Sequence, residues 1–182
     1  MTKRHKVFVS YYHKEDQMYR NDFENLFAKH FDIMVSKSVE IGDIDPNLKT
    51  ETVHQKIRDE YIRDATVTVV LVGRHTWQRK HVDWEIYSSL RNTEYNPRCG
   101  LLGILLPSRP DYNSPRCNPG TIPPRLYENI KRGYAKIYNW SNDPSCVSGR
   151  IHEAFEYRHN PKIPPDLSRP LFANNHSGDS WQ

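Results

Sequence analysis

Ala65-Thr-Val-Thr-Val-Val-Leu-Val-Gly-Arg-His-Thr-Trp-Gln-Arg-Lys-His-Val-Asp-Trp-Glu-Ile-Tyr-Ser-Ser-Leu90 is the stretch that decides the fold. Its first part, Val67 to Val72, is rich in β-branched residues and stops at Gly73, the pattern of a strand covered on both faces in a parallel sheet. After a short polar loop, Val82, Ile86 and Leu90 recur at helical spacing. At about 100° per residue, Glu85 falls at the margin of that apolar stripe and Trp84 nearly opposite it. Glu85 therefore reads either as a solvated helix residue or as a catalyst close to the strand end, and spacing leaves both open.

The chain has 182 residues, one domain by the usual range of roughly 100 to 200 residues, with no room for a second catalytic domain. We divide it into an α/β domain over 1–158 and a Pro-rich, partly irregular C-terminal arm over 159–182. The net charge of +4 is scattered, and the basic cluster Lys3-Arg4-His5-Lys6 leads straight into a strand. That is a solvated terminus rather than the basic face a nucleic-acid partner needs. Cys99, Cys117 and Cys146 are an odd set without a C-x-x-C pair, so neither a disulfide framework nor a metal site is expected, and a reducing, cytoplasmic setting fits best. There is no apolar signal core. The longest apolar runs, near Val67–Val72 and Leu101–Leu106, are far shorter than the ~20 residues of a membrane helix, so no membrane partner is expected. The sequons at Asn139 and Asn175 then carry no meaning.

Working outward, Lys6–Ser10 reads as a first strand. It is followed by the polar turn Tyr11–Asp16 and a helix with Tyr19, Phe23, Leu26, Phe27 and His30 on one face. A second strand near Ile33–Ser36 leads through Glu40–Asn47 to a helix capped by Thr50, with Val53, Ile57 and Tyr61 one turn apart. Cys99–Leu106 is another buried strand, ended by Pro107. Residues 107–124 read as a long surface loop of the kind that often carries function, and Arg125–Lys131 as a short helix. Tyr134–Trp140 alternates like an edge strand, and Asp143-Pro144 opens a final helix with Val147, Ile151, Ala154 and Phe155 on its buried side.

Five strands alternating with helices predict a flavodoxin-like three-layer α/β sandwich with a five-stranded parallel sheet. The common order is 2-1-3-4-5, with ligands at the switch point between strands one and three. That topology brings Ser10-Tyr11-Tyr12-His13 beside the loop from Gly73 into Glu85. No G-x-G-x-x-G follows the first strand, and P-loop and G-x-S-x-G patterns are absent. The places where a phosphoacceptor needs acids read Ser10-Tyr11-Tyr12 and Gly73-Arg74-His75, and no Ser/Thr/Gly-rich flavin-phosphate loop is present.

The segments Val7-Phe-Val-Ser-Tyr-Tyr-His13, Thr66–Gly73 with Thr76-Trp77, Val82-Asp-Trp-Glu-Ile86 and Gly100-Leu-Leu-Gly-Ile104 resemble the TIR-like domain family of the bacterial Thoeris anti-phage defence system, the ThsB-like proteins. The resemblance covers roughly residues 6 to 158. It implies the flavodoxin-like TIR fold and an ADP-ribosyl cyclase type of NAD+ nucleosidase, which cleaves the nicotinamide N-glycosidic bond and cyclises the ADP-ribose part. It further implies a phage-derived trigger without which the enzyme is inactive, an effector reached through the diffusible cyclic nucleotide, and the option of homo-oligomerisation. NAD+ is then substrate, and no cofactor is implied. A non-enzymatic TIR-like module that signals by contact is the alternative.

Within that resemblance Glu85 occupies the position of the TIR catalytic glutamate. Loss of nicotinamide leaves an oxocarbenium-like ribose that a nearby carboxylate stabilises, and because nicotinamide leaves neutral, one carboxylate is enough. Tyr11, Tyr12, Trp77 and Trp84 are candidates to stack on adenine or nicotinamide, with packing on the sheet as the other role of Trp84, which faces away from the stripe. Ser10 and His13 are candidates for diphosphate or ribose contacts, with helix capping as the other role. Asp43 and Asp45 lie in the loop after strand two, where Asp45 borders the pocket or forms a turn with Pro46. Thr76 is a substrate contact or a cap of the following turn. His75 and His81 face phosphate or solvent.

Overall fold

The computed structural model describes residues 4–37, 52, 56–93 and 96–182. Strands β1 (His5–Ser10), β2 (Met34–Lys37), β3 (Val67–Val72), β4 (Gly100–Leu105) and β5 (Ala135–Asn139) form one all-parallel sheet in the order β2-β1-β3-β4-β5. Helices α1 (His13–Glu24), α2 (Lys80–Leu90), α3 (Pro124–Arg132) and α4 (Pro144–Tyr157) cover its two faces. The chain thus has the flavodoxin-like α/β fold expected from its alternation of elements.

Period-two alternation along the central strands sorts the core. Val69 and Leu71 of β3 point to the layer of α1 and α4, among Phe23, Phe27, Val147 and Ile151. Val70 and Val72 point the other way, to Val82, Ile86 and Leu90 of α2 and Leu126 of α3. A third cluster, Phe8, Ile57, Ile62, Ala65 and Cys99, closes the sheet near the start of β3, with Trp84 packed on its rim. Both β3 and β4 are buried at every position, which is why they read as unbroken apolar runs.

Two helical segments depart from regular periodicity. After α1 the chain continues as a π-helix, Asn25–His30, where Phe31 N–H reaches back five residues to the Leu26 carbonyl at 2.8 Å. This widened turn rotates the last residues, so Phe23 and Phe27 stay buried while His30 leaves the apolar face and is exposed. Of the helix expected before β3, Thr50 and Val53 lie outside the described residues, and Ile57–Tyr61 is π-helical with Ile57 fully buried.

The Pro-rich loop after β4 is stapled rather than free. Arg109, 4% exposed, donates to both carboxylate oxygens of Asp111 at 2.8 Å, to the carbonyl and hydroxyl of Thr121 at 2.9 Å, and to the Gly73 carbonyl at 3.4 Å. All of its N–H groups are engaged, so this residue ties the loop to the end of β3. At the last helix, the Asp143 carboxylate accepts from Ser145 N–H and Pro144 takes the first helical position, as the sequence indicated.

Close packing of α4 on β4 makes opposite predictions for two glycines. A Cβ on Gly100 would lie 2.0 Å from the Ala154 carbonyl oxygen, a backbone atom that cannot step aside. Gly100→Ala should lower stability by about 1–3 kcal/mol or more. Gly149, inside α4, has nothing within 4 Å of such a Cβ, so Gly149→Ala should raise it by about 0.5–1 kcal/mol. Urea midpoints of the two variants check both signs.

Candidate functional site

Between β1 and β3 the strand order reverses, and the loops leaving their C-terminal ends open the crevice in which open α/β sheets hold ligands. Ser10, the last residue of β1, is fully buried, and its hydroxyl donates to Glu85 Oε2 at 2.5 Å. Glu85 sits in the second turn of α2 and is only 3% exposed, which removes the solvated-helix reading. The stripe margin predicted from spacing is therefore the edge that meets β1. Burial drives the Glu85 carboxyl up to about 8, against the lowering pull of the Ser10 hydrogen bond.

A second carboxyl lies at the same end of the sheet. Asp16, in the first turn of α1, is 1% exposed and is pushed up by burial to about 6, with Thr76 pulling it down. Thr76 Oγ1 donates to Asp16 Oδ2 at 3.1 Å and accepts from Gly73 N–H at 2.8 Å. A Cβ on Gly73 would lie 2.3 Å from both Asp16 oxygens, so a glycine is what lets the carboxyl reach the end of β3. Thr76 thus faces Asp16 and not Glu85, and its hydroxyl is spent on holding the turn.

The first-loop residues pack into a histidine-rich wall. Tyr11 is 3% exposed, stacks on His13 at 4.2 Å between ring centroids, and donates its hydroxyl to Gln17. His13 meets His81 edge-on at 5.5 Å, and its buried Nδ1 has no partner among the described residues. His81 lies one turn before Glu85 on α2, 3.4 Å from the Tyr11 carbonyl. Burial lowers both imidazoles, His13 to about 4 with His81 and Arg20 adding to it, so the pair is neutral at pH 7. Tyr12 lies instead beneath the Arg79 guanidinium, 4.4 Å from its ring centre.

Trp77 goes elsewhere. It is 2% exposed and forms part of a cleft of about 250 Å³ between the turn after β3, the loop after β4 and the tail, with Arg74, Arg109, Asn118 and Asp179. Glu85 does not line this cleft. Trp84 donates its indole N–H to the Phe172 carbonyl at 2.8 Å. His75 pairs with Glu15 at 2.8 Å. Asp43 and Asp45 lie outside the described residues.

Sequence reading passed over Asp16, Asp83 and Arg125. Asp83, two residues before Glu85, forms a buried ion pair with Arg125 at 2.8 Å. Nothing local marks Asp16 or Arg125, because each finds its partner across dozens of residues of chain. The one sequence cue is the position of Asp83 beside Val82 on the apolar side of α2.

A family model described as Thoeris protein ThsB, TIR-like domain, matches residues 8–111. The matched span contains Ser10, Asp16, the turn after β3, all of α2 and β4, and it ends before α3, β5, α4 and the tail. No curated protein matches the chain. Among the described residues no helix is long and apolar enough to cross a membrane.

The raised Glu85 carboxyl makes stability depend on pH with a fixed sign. Its proton is held more tightly in the folded chain, so its stabilisation is complete below the ordinary 4.5 and is lost as pH rises through about 8. Glu85→Gln keeps an acceptor for Ser10 and has no proton to lose. The variant should match the wild type near pH 4 and exceed it increasingly towards pH 8, the gap widening by roughly 1.4 kcal/mol for each step of one in pH. Urea unfolding of both proteins across that range tests this, and a difference flat in pH would refute the burial argument.

Proposed function

The chain belongs to the TIR-like domain family of the Thoeris protein ThsB, and from that premise we propose that it is an NAD+-cleaving enzyme of the ADP-ribosyl cyclase type. On this reading Glu85 is the catalytic residue, and the product is a cyclic ADP-ribose-like messenger for a partner effector. The observation that carries the proposal is the buried Ser10–Glu85 pair at the β1/β3 switch point. It is a fully enclosed carboxyl that accepts from one hydroxyl.

Glycosidic cleavage of NAD+ turns a positively charged nicotinamide into a neutral leaving group and moves the charge onto ribose. A carboxylate close to that ribose gains most at the transition state, and a water-poor site makes the interaction strong. The cationic ring itself favours the ionised form of Glu85, opposing the burial that keeps the acid neutral in the free protein. Ser10 orients the carboxyl. The neutral imidazoles of His13 and His81 offer hydrogen-bonding nitrogens, and Tyr11 offers a ring face. Cyclisation then asks that an adenosine hydroxyl or ring nitrogen reach the ribose carbon before water does, which a dry pocket favours.

The second reading is a non-enzymatic module that signals by contact. What favours it is that Glu85 is covered in this conformation, so substrate reaches it only after the crevice opens. A trigger-dependent enzyme shares that property at rest, and the two readings separate by chemistry.

With NAD+, pure protein or extract from phage-infected cells should release nicotinamide and form a cyclic ADP-ribose isomer. Glu85→Gln should reduce release by about a hundredfold or more, the scale on which removal of a single electrostatic stabiliser acts. Unchanged activity would remove Glu85 from its role, and no release under either condition would favour the module. The pH profile supplies a further check. The kcat/KM profile should rise with an apparent pKa near 8, that of the free enzyme, whereas kcat should turn over at lower pH because bound NAD+ favours the carboxylate.

A further inference from the structure

Residues 159–182 contain no helix or strand, yet they are tied to the domain along their length. Asn129, fully buried in α3, donates to the Asp166 carbonyl at 3.0 Å and accepts from its N–H at 2.8 Å. Arg125, beside it and also fully buried, pairs with Asp83 and donates to the carbonyls of Arg169 and Pro170 at 3.1 and 3.3 Å. The chain then crosses onto α2. Farther on, the Trp181 indole N–H donates to the Ile122 carbonyl at 2.7 Å and its backbone N–H to the Gly120 carbonyl at 3.0 Å.

The contacts with α2 flank Glu85. Phe172 N–H donates to Asp83 Oδ2 at 3.0 Å, and the Phe172 carbonyl accepts from the Trp84 indole at 2.8 Å, so one tail residue grips the two positions immediately before Glu85. The residue preceding the helix, Arg79, gives α2 no side-chain cap. Asn175 supplies one from 95 residues away, its Oδ1 accepting Lys80 N–H at 2.9 Å. His176 N–H donates to the Gln78 carbonyl at 2.8 Å, and Gln78 Nε2 to the Gly178 carbonyl at 3.0 Å, which fixes the turn leading into the helix.

We propose that residues 172–178 are a positioning strap for Glu85, with Asn175 as the positioning residue that fixes the first turn of α2. The inference rests on the reading of Glu85 as the catalytic carboxyl. Each residue of a helix turns the next by about 100° and lifts it about 1.5 Å. A first turn that frays or slips therefore moves Glu85 relative to Ser10 by more than a hydrogen bond allows. An uncapped start leaves free N–H groups and a fraying end, and the Asn175 side chain takes up the first of them. The strap lies wholly outside the stretch matched by the family model, residues 8–111.

The test is Asn175→Ala beside Asn175→Asp, since Asp accepts the same N–H and is as good a cap. Two readouts need no substrate. Amide hydrogen exchange at Lys80 to Glu85 should quicken about tenfold or more in the Ala variant. The Glu85 carboxyl, followed by carbon-13 NMR, should titrate below its value of about 8 as water enters. The Asp variant should restore both. In the cleavage assay the Ala variant should lose kcat about tenfold with KM within about twofold, again restored by Asp. A Glu85 titration that does not move in the Ala variant overturns the strap, whatever happens to melting temperature or activity. A titration that moves in a protein that cleaves no NAD+, either pure or in extract from phage-infected cells, upholds the strap and overturns the functional reading alone.

Discussion

Docking α2 on the sheet carries two carboxyls, Asp83 and Glu85, into the protein interior, and most of what surrounds this helix answers that constraint. A buried carboxyl is tolerated when charge or hydrogen bonds replace the lost water. Asp83 has the full set, a guanidinium from α3 and an N–H from the tail. Glu85 has the Ser10 hydroxyl, and burial outweighs that one hydrogen bond in setting its pKa. Two acids two positions apart in the chain thus meet opposite environments. The first anchors the helix, and the second is left with its pKa raised at the edge that meets β1.

The anchoring of Asp83 connects α3 and the tail to the helix that carries Glu85. Removing Arg125 would leave Asp83 buried without its counter-charge and would release the Arg169 and Pro170 carbonyls, so the tail, α3 and α2 loosen together. On the other side of the crevice, Asp16, Thr76 and Gly73 tie α1 to the end of β3, and Arg109 ties the same glycine to the loop after β4. Ser10 and Glu85 are therefore set between two rigid corners, and α2 is the element whose placement brings them together.

How much of this was legible in the sequence follows from the range of each interaction. Strands buried on both faces announce themselves as unbroken apolar runs, and alternation with helices fixes a parallel sheet and its common order, so β1 to β5 and their topology could be read directly. Glu85 could be placed beside the strand end from the angle between it and Val82, Ile86 and Leu90, but angle alone does not tell a margin facing water from one facing β1. The reach of Ser10 across 75 residues decides that, and Arg125 to Asp83 spans 42. The tail was opaque for the same reason. Its hydrogen bonds use backbone groups and one Asn, which leave no periodic signature, while its prolines argue against regular structure. Thr76 and Trp77 stood next to each other in the motif yet face different corners, because a 3-10 turn, Thr76–Gln78, aims successive side chains about 120° apart.

Under the NAD+ reading, the covering of Glu85 is part of the chemistry. An open, hydrated carboxylate would be ionised at neutral pH but screened, and would offer little more to a developing ribose cation than water does. A buried one is neutral and inert until a positive charge arrives. The nicotinamide ring of the substrate brings that charge into the crevice, so binding and ionisation become coupled, and the charge that ionises the acid passes to the ribose as the glycosidic bond breaks. Loosening α2 would hydrate Glu85 and return its pKa towards the ordinary value, giving the anion without the dry surroundings that make it effective. Holding the helix tightly and keeping the acid neutral at rest are then two results of one packing arrangement, in which the tail takes part.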